Sequence, residues 1–221
     1  MKKDFLGKIG FGLLLTILAL TAAAQTPVFS YDAQGFIVPN TKYIPPFCET
    51  QLYPLEFVDS MKLESPDKQY HYTVKLYNYK GWAANSPGDF RVIDVCAFGR
   101  TLIRVINEDA WIKIEGAVAG KGANEYFQVM PLKDDGIALC FYGYPYASTP
   151  GLLTIVAVNG RDAKVVHNSP MKISAVEGTV GSSNMKLVGG SYVYAAEPDK
   201  TFSIWPQNGV LYEKGWRLIS D

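Results

Sequence analysis

The sequence predicts an all-β protein built of sandwich-like antiparallel sheets. Three observations carry this. Short runs of β-formers recur along the chain, separated by turn signals at the spacing of a sandwich or barrel. Asp135-Gly136, Asn159-Gly160 and Asn208-Gly209 each sit between apolar runs, a strong hairpin signal. No segment after residue 24 sustains the 3.6-residue period of an amphipathic helix.

The start of the chain differs from the rest. Lys2, Lys3 and Lys8 precede an uncharged apolar run over 9–20, and Thr21-Ala22-Ala23-Ala24-Gln25 offers small residues for cleavage after Ala24. This is the three-part grammar of an export signal. The run is short against the roughly 20 apolar residues a spanning helix needs. No cysteine sits just after it, the first being Cys48, so no lipid anchor is expected there. Removal of residues 1–24 takes three lysines and one aspartate and leaves a net charge of −2. The sequence has no Asn-x-Ser/Thr acceptor, which fits a bacterial envelope protein better than a secreted glycoprotein.

Residues 25–54 carry Pro27, Pro39, Pro45, Pro46 and Pro54 among six aromatics. Proline disfavours regular helix, and a free linker would not be so aromatic. An extended arm packed on the domain, or lending it an edge strand, is expected. A main β domain is expected over 55–177. Its strands read as 70–77, 91–98, 101–107, 111–115, 126–130, 137–142, 152–158, 163–167 and 171–176. Long loops fall at 78–89 and 116–124. A Gly/Ser stretch at 178–184 opens a C-terminal set of hairpins, 178–221, in the same domain or a small second one. Its strands read as 185–188, 192–196, 201–205, 210–212 and 216–219.

Composition limits function. The chain has 221 residues, 48% of them hydrophobic and 13% aromatic, with 21 basic and 21 acidic residues. A disordered protein has more charge and fewer aromatics, and a nucleic-acid binder carries a basic surplus. Three cysteines, Cys48, Cys96 and Cys140, are too few for a disulfide scaffold. Cys96 and Cys140 fall in expected strands, and two readings stand: a Cys96–Cys140 bridge, or buried thiols acting as small hydrophobes. No Cys or His pair has metal-ligand spacing, and no cofactor is expected.

Cys96, Trp111 and Asp134-Asp135-Gly136-Ile137-Ala138-Leu139-Cys140 together resemble the Cys…Trp…Asp-x-Gly-x-Tyr-x-Cys pattern of immunoglobulin variable domains. The resemblance implies an immunoglobulin-like or similar sandwich. It departs where Ala138 replaces the corner tyrosine and in the short separation of the cysteines, so no membership is assigned.

Chemistry is sparse. His71 and His167 each lie in or beside an expected strand, where a lone histidine is structural, and no Gly-x-Ser-x-Gly elbow is present. Most carboxylates flank turns; Asp94 and Glu115 lie within strands and are the least ordinary candidates for a glycosidase pair. Residues 116–122 match no phosphate-loop spacing. Aromatics are the excess. Tyr142-Gly143-Tyr144-Pro145-Tyr146 and Trp82 fall in expected loops, where flat rings with a polar edge suit a sugar or a protein partner. Trp82, Tyr142, Tyr144 and Tyr146 are therefore the candidate contact residues. The expected protein is an exported, non-catalytic binder of an envelope protein or a glycan, with no membrane-spanning segment after signal cleavage. A carbohydrate-binding module and a hydrolase with paired carboxylates are the alternatives.

Overall fold

A computed structural model describes residues 25–40, 50–114, 124–146, 150–190 and 201–215. The described residues contain no helix and pair antiparallel throughout. The export signal and Cys48 lie outside them.

Three short strands come first: β1 (Thr26–Pro27), β2 (Phe29–Tyr31) and β3 (Ile37–Pro39). An eight-stranded sheet follows: β4 (Leu55–Glu64), β5 (His71–Tyr79), β6 (Phe90–Ala97), β7 (Arg100–Ile112), β8 (Gln128–Pro131), β9 (Ile137–Gly143), β10 (Leu152–Asn159) and β11 (Asp162–Pro170). The last strands, β12 (Lys172–Glu177), β13 (Lys186–Gly190), β14 (Thr201–Gln207) and β15 (Val210–Gly215), join β1 in a five-stranded sheet.

The large sheet folds over on itself. Tyr72, Val74 and Leu76 of β5 and Ile93 and Val95 of β6 share a core with Ile137, Leu139 and Phe141 of β9 and Val156 and Val158 of β10. The alternate residues of β9 and β10, Ala138, Cys140, Tyr142, Leu153, Ile155 and Ala157, enter a second core with Leu187, Ile204 and Leu211 of the five-stranded sheet. The architecture is thus two sandwiches sharing a middle layer, β8–β11. Residues 178–185 are the connection between the paired strands β12 and β13, and that sheet closes the second core.

The strand β7 makes the fold-over possible. The sequence reads two strands around an Asn turn, but residues 100–112 run as one strand with a bend. Asn107 supplies the bend: its Nδ2 donates to the Ala110 carbonyl at 3.1 Å, its Oδ1 accepts from Asp109 N at 3.1 Å, and Ala110 has φ 68°. Below the bend β7 pairs with β6 alone; beyond it Trp111 still pairs with Phe90 of β6, and Trp111 and Ile112 also pair with β9.

Of the N-terminal segment, residues 25–40 are described, and some of them pair with or pack on later strands. Pro27 pairs with Tyr212 of β15, and Phe29 and Ile37 are buried in the second core. Ile37 N donates to Asp162 Oδ2 at 2.8 Å, fastening the β2–β3 hairpin beside β11. Asn208 and Gly209, at φ 51° and 74°, form the two-residue turn between β14 and β15 that the sequence announces.

Candidate functional site

Trp82 is not a free loop aromatic. The segment 80–89 leaves β5 and returns to β6, and the indole lies half-buried against Tyr53 and Tyr79, at centroid distances of 5.2 and 5.1 Å. Its face covers the guanidinium of Arg91 at 5.0 Å. Arg91 is itself buried and donates to Asn78 Oδ1 (2.7 Å), Ser86 Oγ (2.9 Å), the Pro87 carbonyl (2.6 Å) and the Glu108 carbonyl (3.0 Å). Burial pulls its pKa below the usual arginine value, since desolvation disfavours the charged form. Trp82 and Arg91 are therefore the clamp that shapes this loop.

The segment 142–146 divides along its length. Tyr142 is the penultimate residue of β9, not a loop residue. It is buried, its hydroxyl donates to Gln128 Oε1, and burial pushes its pKa well up. Tyr144 is half-buried, with its N–H donating to the Ala110 carbonyl at 3.1 Å. Tyr146 is 71% exposed and is the freest of the four candidates. Gly143 and Gly151 permit the close crossing here: a Cβ on Gly143 would meet Leu152 N at 2.2 Å.

Beside this crossing a cavity of about 320 Å³ opens at the end of the second core. Ile112, Ile114, Tyr142, Pro145, Met171 and Ile173 supply its apolar wall, and Asp89, Lys113 and Lys172 its polar one. Its size falls at the small end of the range for small-molecule sites, about 300–1,000 Å³. Asp89 Oδ2 accepts from Lys113 N at 2.7 Å, and Lys113 Nζ pairs with Glu125 at 3.1 Å. The structure brings Tyr142 and Pro145 to this cavity, while the Trp82 ring faces Arg91 elsewhere.

Asp94, the strand carboxylate singled out in the sequence, is buried and taken up by Arg104 across the hairpin, at 2.7 and 2.6 Å. This two-point fork is the strongest geometry an arginine and a carboxylate can adopt. Glu115 lies outside the described residues. The thiols of Cys96 and Cys140 are free, so the bridge that their strand positions allowed is not formed. Cys140 lies in the second core and Cys96 beside Thr101, half-exposed. Burial raises the Cys140 pKa far above the ordinary thiol range.

Two buried polar groupings escaped sequence reasoning. Trp111 Nε1 donates to Thr154 Oγ1 at 2.9 Å, and Thr154 Oγ1 donates to Asn168 Oδ1 at 2.7 Å. His167 Nδ1 of β11 lies 3.9 Å from Glu213 Oε2 of β15, joining the middle layer to the five-stranded sheet. The Asn168 and His167 positions carried no signal of their own, because β11 also holds Asp162, Lys164 and Ser169.

The fold is that of an antiparallel all-β, sandwich-like protein, and Phe36, Phe57, Phe98 and Tyr146 are among its exposed large hydrophobic side chains. No family model matches the chain, no curated protein is significantly similar to it, and no solved structure matches it significantly. Among the described residues no helix is long and apolar enough to cross a membrane.

Proposed function

We propose that the chain is an exported, non-catalytic β-sandwich protein of a bacterial envelope that binds another macromolecule as a subunit of a periplasmic, outer-membrane or surface assembly. The observation carrying this reading is the edge strand β4. It is ten residues long, and among the described residues only β5 pairs with it. Phe57 on this strand is 59% exposed, and Leu52 and Tyr53 just before it are exposed as well. Natural sheets usually shorten, cover or charge such an edge, because its free N–H and C=O groups accept a strand from elsewhere. The opposite edge of the same sheet, β11, has the β2–β3 hairpin beside it. The edge carries Glu56, Asp59, Lys62 and Glu64 and a bulge between Phe57 and Asp59, so its exposed Phe57 end, which no second described strand pairs, is the part that suits strand addition by a partner.

The test is a photo-crosslinking residue at position 57 in cells that produce the protein. A discrete crosslinked partner is expected there. A control at Glu177, exposed on β12, should give none. Equal crosslinking at both positions would refute the reading. The glycan alternative draws on Tyr146 and the cavity beside it, which an exposed ring and an apolar wall equip for a sugar. A glycan array read with Tyr146→Ala separates the two.

A further inference from the structure

A second cavity, of about 380 Å³, opens on the outer face of the first layer, over β5, β6 and β7. Thr73, Lys75, Cys96, Arg100 and Thr101 line it, with Phe98 of the β6–β7 turn at its wall. The sheet register explains the grouping. Lys62, Thr73, Cys96 and Thr101 stand in one cross-strand row, and Lys75 stands in the next, opposite Asp94. Asp94 is spent on Arg104 and Glu64 faces His71 at 3.5 Å. Lys62, Lys75 and Arg100 thus form no ion pair among the described residues, as is also true of Lys68, Lys80 and Lys214, but here two such cations, Lys75 and Arg100, line one cavity. Arg161 adds a further cation, its guanidinium 5.6 Å from the Phe98 ring centroid.

We propose that this groove binds an anionic sugar, through a carboxylate or a phosphate. Two uncompensated cations at one cavity favour an anion, and they do so more strongly where protein walls displace water. The threonine hydroxyls donate and accept, as ring hydroxyls require. Phe98, 54% exposed, offers an aromatic surface at the rim. This site is distinct from the β4 edge and from the cavity at Tyr142, and it goes beyond the binding role proposed above.

The experiment is an amide-resolved NMR titration of the protein purified from cells that express the full 221-residue sequence. The probes are glucuronate and ribose phosphate, with glucose, acetate and inorganic phosphate as controls at matched ionic strength. Saturable shifts at residues 71–75 and 96–101 are expected with one or both acidic sugars, and the stronger of the two names the anionic group. Lys75→Gln combined with Arg100→Gln should weaken binding about tenfold or more, the loss of one charged hydrogen bond or greater. Arg100→Gln alone, on the exposed turn, serves if the double variant does not fold. The proposal is overturned if neither acidic sugar binds, if glucose or the simple anions bind as well, or if the variant binds unchanged.

Discussion

Truncating Trp82 to alanine separates a structural ring from a contact ring. A fully buried tryptophan costs about 3–5 kcal/mol on truncation. Trp82 is half-buried, so about half of that is lost with its packing on Tyr79 and Tyr53. The Arg91 guanidinium also loses the ring 5.0 Å away, a contact worth about 0.5–1 kcal/mol near a surface. The sum is about 2–3.5 kcal/mol, or about 4–14 °C in Tm for a domain of this size. Urea melts followed by circular dichroism measure it, and an unchanged m-value shows that stability alone moved. Tyr146→Ala, at a ring 71% exposed, should stay within about 0.5 kcal/mol. If Trp82→Ala also falls within that margin, the clamp on Arg91 is not structural and the reasoning fails.

Further expectations concern other parts of the molecule. Arg104→Leu should destabilise more than Asp94→Asn, because the first leaves a buried carboxylate charged and alone while the second removes that charge; melts of both variants and of the double variant check the order. Under native conditions an alkylating reagent should label Cys96 and spare Cys140, which peptide mapping reads directly; labelling of Cys140 before unfolding would contradict its burial. Tyr31 and Tyr72 have pKa values pushed up to about 12 by burial, from an ordinary value of 10. The native state therefore holds their protons longer than the unfolded chain, and this stability is complete below pH 10 and lost as pH rises from about 10 to about 12. Phenolate absorbance of these rings should appear together with loss of the β signal in that window. Gly143→Ala should destabilise markedly, since the new Cβ meets backbone at 2.2 Å, and a melt within error of the parent would show that the crossing yields.

How far the sequence disclosed this depends on the layer. The first layer was legible because one face of it meets water: His71, Thr73 and Lys75 alternate with the buried Tyr72, Val74 and Leu76. The hairpins were legible because Asn-Gly and Asp-Gly leave few other conformations; even there, the left-handed residues of the β8–β9 turn are Asp134 and Asp135, one position earlier than the dipeptide suggests. The middle layer carries a different signal. Residues 137–142 and 152–158 are almost continuously apolar, as strands buried on both faces must be, and that implies a third layer. The Asp94–Arg104 pair was not legible, since a hairpin turning at Phe98 and Gly99 sets Asp94 opposite Ile103, and only the bulge between Val95 and Cys96 moves it opposite Arg104. The Trp82 environment was not, because Tyr53, Tyr79 and Arg91 reach it from other strands and loops. A Gly, Pro and Asn-rich loop looks like surface until the partner beneath it is known.

The shared middle layer has a consequence for how the chain becomes a folded protein. The residues of β9 and β10 that face the second core are covered by strands formed from residues 172–215, which are made later than the layer they cover. Until then one side of a newly formed sheet presents Ala138, Cys140, Leu153, Ile155 and Ala157 to whatever surrounds it. That strip joins β-forming side chains with an absence of charge, the combination that drives chains to stack on one another. The last strands therefore act as a solubility cover as well as a structural layer. Versions of the protein that lack them would leave that strip without its cover.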